Sequence, residues 1–204
     1  MSDTRFTHIG GPTALIEFGA WRILTDPTFD SPGQRYFFGW GTASRKLAGP
    51  AIDASDLGRI DVVLVSHHQH GDNLDPSARA LLPTWGTTFT TRKAAVTLGG
   101  ACVGLAAWET ATLEAQGKET ITITATPGRH GPVGSEPFTG PVVGFSLAWA
   151  GQEHGELWGH RGHGAVPGPA RGRLQAAGRH HVAAPRLCAV PVLVGLDPLH
   201  DGRL

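Results

Sequence analysis

Hydrophobic and polar positions divide the chain into short elements. Residues 1 to about 30 read as β-rich, with alternation clearest along Thr13-Ala14-Leu15-Ile16-Glu17-Phe18. Asp61-Val62-Val63-Leu64-Val65 has another character: it is short, β-branched and apolar, which predicts a buried strand. Pro76 suits the first turn of a helix, and that helix is predicted to reach Leu82. A strand is expected over 87–91, a short helix over 92–98 and an alternating strand over 119–126. Another strand is expected within 142–150, where Val143, Phe145, Leu147 and Trp149 recur at every second position. Such alternation of strands and helices suits an α/β sandwich. Residues 31–55 are expected to form a long loop. Its aromatic group, Tyr36, Phe37, Phe38 and Trp40, can fold back onto the core.

The candidate chemistry lies between the buried strand and the first helix. Ser66-His67-His68-Gln69-His70-Gly71-Asp72-Asn73-Leu74-Asp75 places three imidazoles and two carboxylates in one strand-to-helix loop. A loop at the carboxyl end of a buried strand mounts ligands rigidly and leaves room for solvent and substrate. A lone His on a loop is usually solvated, but a cluster with interleaved acids directly after a strand points to a metal. Read back from Asp72, the stretch is His68-x-His70-x-Asp72-Asn73. In that register alternate residues turn two ring nitrogens toward one ion while Asp72 faces a neighbouring position. His67 lies one residue away and stays open as an alternative to His68.

This spacing resembles the His-x-His-x-Asp-His signature of the metallo-β-lactamase fold superfamily. Thr7-His8-Ile9-Gly10-Gly11, the strand from Thr13, and Trp21-Arg22-Ile23-Leu24-Thr25-Asp26-Pro27 are similar to the opening strands of that fold. The Thr25-Asp26-Pro27 step looks like that of the branch containing the ascorbate-phosphate lactonases. The resemblance implies an αββα sandwich over residues 1–158, with Asp26 holding the metal loop without binding the ion. It also implies a third metal-binding His at His130, which follows the 119–126 strand within Pro127-Gly128-Arg129-His130-Gly131. The implied ligand set is His68 (or His67), His70, Asp72 and His130, for one or two ions of Zn2+ or, alternatively, Mn2+. The implied reaction is hydrolysis of an ester, lactone or phosphoester bond in a small molecule by a metal-activated water, with Asp72 accepting a proton. Asn73 stands where the signature usually ends in His. A side-chain amide is a poor ligand for Zn2+ and a good hydrogen-bonding group, so Asn73 is expected beside the ligands rather than among them.

Composition narrows the partners. Seventeen basic against seventeen acidic residues give a formal net charge of zero and no basic stripe, which disfavours nucleic acid and anionic membranes. No stretch approaches membrane-spanning length, and Cys102 and Cys188 read as buried reduced thiols, so a cytoplasmic setting is expected.

The last quarter departs from the rest. Residues 151–204 contain no Ile, Phe, Tyr, Thr, Ser, Asn, Lys or Met, and hold six of the eleven His. Residues 159–204 are therefore expected to form an atypical, irregular tail rich in Gly, Pro, Arg and His, apart from a strand within 187–196. The stretch from Gly159 to Gly168 can be written in codons whose next reading frame spells Val-Thr-Gly-Asp-Thr-Val-Leu-Tyr-Pro-Gly. In that same frame the codons from Gly178 onward allow Val-Asp-Thr-Met-Leu-Leu-His-Leu-Gly. Both resemble later motifs of the superfamily, which implies a slip of frame near Leu157 or Trp158. The alternative to a hydrolase is thus a damaged, non-catalytic or pseudoenzyme member of the fold that binds metal weakly.

Overall fold

The computed structural model describes residues 4–39, 41–131, 139–149, 152–158 and 187–188. In chain order, β1 (Arg5–Gly10), β2 (Thr13–Phe18) and β3 (Trp21–Thr25) precede β4 (Arg35–Gly39), β5 (Thr42–Arg45) and β6 (Val62–Leu64). There follow α1 (Pro76–Leu81), β7 (Thr87–Thr91), α2 (Arg92–Leu98), β8 (Cys102–Leu105) and β9 (Thr110–Leu113). The chain continues through β10 (Ile121–Pro127), β11 (Val143–Trp149), β12 (Gln152–Trp158) and β13 (Leu187–Cys188).

Two sheets face each other. The first has the order β1-β2-β3-β6-β7-β8; β1 to β3 form an antiparallel meander, and β3, β6, β7 and β8 run parallel. The second has the order β13-β12-β11-β10-β9 and is antiparallel except at the β12–β13 edge. Between them Ile16, Phe18, Ile23, Val62, Leu64 and Phe89 of the first sheet pack on Ile121, Ile123, Phe145, Leu147 and Trp149 of the second. The other face of the first sheet buries Leu15, Leu24, Val63 and Val65 beneath Ala78, Leu82 and Leu98 from the helical side. Being covered on both faces, β6 has no polar position to spare, which is why its sequence is continuously apolar.

Both helices begin where their sequence says they should. The Asp75 side chain accepts a hydrogen bond from Ala78 N at 2.9 Å, and Pro76 fills the first turn. Thr91 accepts from Ala94 N at 3.1 Å. The architecture is the metallo-β-lactamase-like α/β sandwich; among the described residues both α-helices lie on the first sheet.

The region 31–55 differs from expectation. Instead of a plain loop it contains β4 and β5, paired as a hairpin that belongs to neither large sheet. Strand alternation separates the consecutive aromatics: Tyr36 is buried, Phe37 is 76% exposed and Phe38 is half-buried. The aromatic group is thus split between an inward and an outward face, and Trp40 lies outside the described residues. Cys102 is a free thiol but only half-buried, because β8 is the edge strand of its sheet. Of the tail after residue 158, only the short β13 is among the described residues, and the remaining expectations for 159–204 lie outside them. Among the described residues no helix is long and apolar enough to cross a membrane.

Candidate metal centre

The loop after β6 is fastened on two sides. Thr25 and Leu64 are register partners at the ends of parallel strands, so the residues that follow them emerge together. Asp26 then takes a left-handed backbone conformation (φ +32°), which Asp tolerates better than most residues. Its N–H donates to Leu64 O at 2.8 Å, and its buried carboxylate accepts from Ser66 N at 2.7 Å. On the other side Val143 N donates to Ser66 O at 3.1 Å, and Gln69 Nε2 donates to Thr139 O. The metal loop is therefore clamped between the two sheets at one end of the sandwich. That end also receives His130, just beyond β10.

Three imidazoles converge there: His67, His70 and His130, with one nitrogen of each within 4.8 Å of the others. His67 Nε2 lies 3.2 Å from His70 Nδ1, and His70 Nδ1 lies 3.1 Å from His130 Nε2. The rings stand nearly perpendicular to one another, with interplanar angles of 78° to 90°. Nitrogens about 2.0–2.1 Å from a tetrahedral Zn2+ are separated by roughly 3.3 Å, so the two short separations fit the edges of such a shell. The donor set fits a metal ion such as Zn2+.

Of the two registers the sequence left open, the geometry gathers the alternative one. His70 and His130 stand in the cluster as expected, but the third ring is that of His67, not His68. A bend over 68–70 brings His70 back to within 3.2 Å of His67. His68 is turned toward the helical side, where Arg79 Nη2 donates to its carbonyl oxygen at 3.0 Å. Its Nδ1 is buried without a hydrogen-bond partner. Asp72 is not one of the three converging groups; its Oδ1 is buried and likewise unpartnered.

Ser66 and Asn73 set the chemistry of His67. Ser66 Oγ lies 2.9 Å from His67 Nδ1, and Asn73 Nδ2 donates to the same hydroxyl at 3.2 Å. For Nε2 to present its lone pair to an ion, the ring proton must sit on Nδ1 and be donated to Ser66 Oγ. The hydroxyl then accepts from both neighbours with its two lone pairs. Sequence reasoning placed Asn73 beside the ligands but missed Ser66, whose only signal was its position directly before the first His of the run.

Electrostatics favour the neutral form of His70 and His68. Burial holds the His70 imidazole below its ordinary range, His130 adds to this and Asp72 opposes it. Burial, then Arg79 and Lys93, lower His68 in the same direction. A neutral imidazole is the form that binds a metal ion.

The β4–β5 hairpin covers the loop. The Tyr36 ring rests on Gly71, where an added Cβ would come within 2.5 Å of Tyr36 Cδ1, so this close approach requires glycine. Tyr36 OH donates to Asp30 Oδ2 at 3.1 Å; burial first, then Asp75 and Asp30, push the phenol above its ordinary pKa.

No protein-family model and no curated protein matches the chain. Solved structures do. An isothiocyanate hydrolase from Delia radicum gut bacteria superposes with a TM-score of 0.60 at 20% identity, over 76% of this chain and 62% of that one. A possible metal-dependent hydrolase from Veillonella parvula DSM 2008 gives 0.61 at 20% identity, over 79% and 64%. CmlA, a diiron β-hydroxylase from Streptomyces venezuelae, gives 0.52 at 15% identity, over 78% and 29%. At these identities the likeness is one of fold, and the chain spans less than two thirds of the length of each.

Proposed function

From a metallo-β-lactamase-like sandwich that gathers three imidazoles at one end, we propose that the chain is a metal-dependent hydrolase of a small molecule. The bond cleaved is an ester, lactone or phosphoester. The observation that carries this reading is the convergence of His67 Nε2, His70 Nδ1 and His130 Nε2. Imidazole donors suit Zn2+ best among common ions, with Mn2+ the alternative if Asp72 joins the shell. When bound, the ion supplies Lewis acidity and makes water a usable nucleophile near neutral pH.

The chain's own groups do the rest. Ser66 and Asn73 hold His67 in the donating tautomer, and Asp26 keeps the loop in register with β3. Asp72, with Oδ1 unpartnered, accepts the proton that an attacking water must lose. We extend the proposal to residues 159–204: read in the next frame, they would return an Asp and a His for a second ion.

The test is elemental analysis of the purified protein together with a panel of aryl esters, lactones, phosphodiesters and isothiocyanates, the last because one structural neighbour hydrolyses them. Hydrolysis that is lost in His70→Ala and rises when the frame is restored after Trp158 supports the proposal. A metal-loaded protein inert in both frames would favour a non-catalytic member of the fold. Iron in place of zinc would shift the reading toward the chemistry of the diiron neighbour.

A further inference from the structure

The inner face of the β4–β5 hairpin is fastened to the metal loop and the start of α1 at several points. Tyr36 is held by Asp30 Oδ2 and by contact with Gly71, and Lys46 Nζ lies 3.3 Å from the fully buried Asp75 Oδ2. Asp30 in turn accepts from Ser77 N at 3.1 Å and donates its own N–H to Asp75 Oδ2 at 2.6 Å. The hairpin is therefore fixed over the site rather than resting loosely on it. Two residues beyond Tyr36, on the same face, Phe38 meets His70 edge to face, with ring centroids 5.0 Å apart and an interplanar angle of 66°. Unlike Tyr36, Phe38 keeps part of its ring in the open. Lys46, just past β5, is paired with Asp75. The other two cationic residues of the hairpin, Arg35 and Arg45, are cross-strand partners that lie exposed, away from the metal loop.

We propose that Phe38 is the specificity-determining wall of the metal centre, and that the substrate carries an aromatic or bulky apolar group beside the bond that is cleaved. This rests on the hydrolase reading above and narrows it. A group held at the three ring nitrogens and the Phe38 ring share one neighbour, the His70 imidazole. A bound acyl group thus lies against an aromatic surface.

The test uses the zinc-loaded protein and two pairs of probes: phenylacetate against acetate for binding, and their methyl esters for turnover. Calorimetry should show phenylacetate binding roughly tenfold or more tighter than acetate, the range a hydrophobic pocket reaches for a group of this size. Methyl phenylacetate should be preferred over methyl acetate mainly through a lower KM. Phe38→Ala should bring both ratios close to one with zinc content unchanged, and Phe38→Leu should keep most of the binding preference. Equal binding of the two acids by the unaltered protein, or a preference that survives Phe38→Ala, overturns the assignment. Loss of zinc in both Phe38 variants also overturns it, since the residue would then be a support for His70. If neither ester is hydrolysed while the binding preference is present and lost in Phe38→Ala, the hydrolase reading fails and the apolar wall stands.

Discussion

The two ends of the sandwich both bury charged and polar groups, and they do so in opposite ways. At the amino end of β6, Asp61 sits between cations: Lys118 Nζ is 2.6 Å from one carboxylate oxygen and Arg59 Nε is 3.0 Å from the other. Arg22 N also donates to Asp61 at 3.1 Å. Lys118 lies over the Trp21 ring at 4.6 Å from its centroid, and Trp21 Nε1 donates to Glu119 O at 2.6 Å, so this end ties the second sheet to the first through paired charges. At the carboxyl end of β6, three imidazoles turn nitrogens toward one another, and the buried Asp72 Oδ1 and His68 Nδ1 have no hydrogen-bond partner. An end that pairs opposite charges holds the fold. An end that gathers three nitrogen donors offers a place for a cation.

The largest test of that contrast removes one imidazole. His70→Ala and His67→Ala should each reduce zinc from about one ion per chain to near zero after dialysis, whereas His68→Ala should keep it. Elemental analysis decides the matter, and zinc lost in His68→Ala but retained in His67→Ala would return the site to the register of the sequence signature.

A second substitution probes the opposite end. Asp61→Ala leaves the nearly buried Lys118 without its carboxylate and should lower stability by on the order of 3 kcal/mol in urea unfolding, with zinc content unaffected. An unchanged unfolding midpoint would show that this end does not hold the sheets together.

The smallest expected effect comes from the groups behind His67. Asn73→Ala removes no ligand, yet it takes a donor from Ser66 Oγ and should weaken zinc binding roughly tenfold to a hundredfold in chelator competition. If affinity holds while stability falls, Asn73 is a packing residue and the tautomer of His67 is set elsewhere.

Much of the frame was legible in advance because it depends on local pattern. The strand at 87–91 and the helix at 92–98 stand at their expected bounds, and Pro76 announced the start of α1 through its preset φ. The hairpin within 31–55 was not legible. Tyr36-Phe37-Phe38 is apolar at every position, and only the covering of one face by the metal loop and the exposure of the other reveals its period of two.

By itself, the sequence determined that a histidine-rich loop follows a doubly buried strand, that a further His follows a later strand, and that the last quarter has a different composition. Which imidazoles meet was decided by tertiary structure alone. Motif spacing records positions along a chain, but ligand geometry depends on the direction of each side chain. That direction is set by contacts remote in sequence: Asp26 on Ser66 N, Val143 on Ser66 O and Tyr36 on Gly71. These contacts fix the bend over residues 68–70, and the bend is what selects His67 over His68.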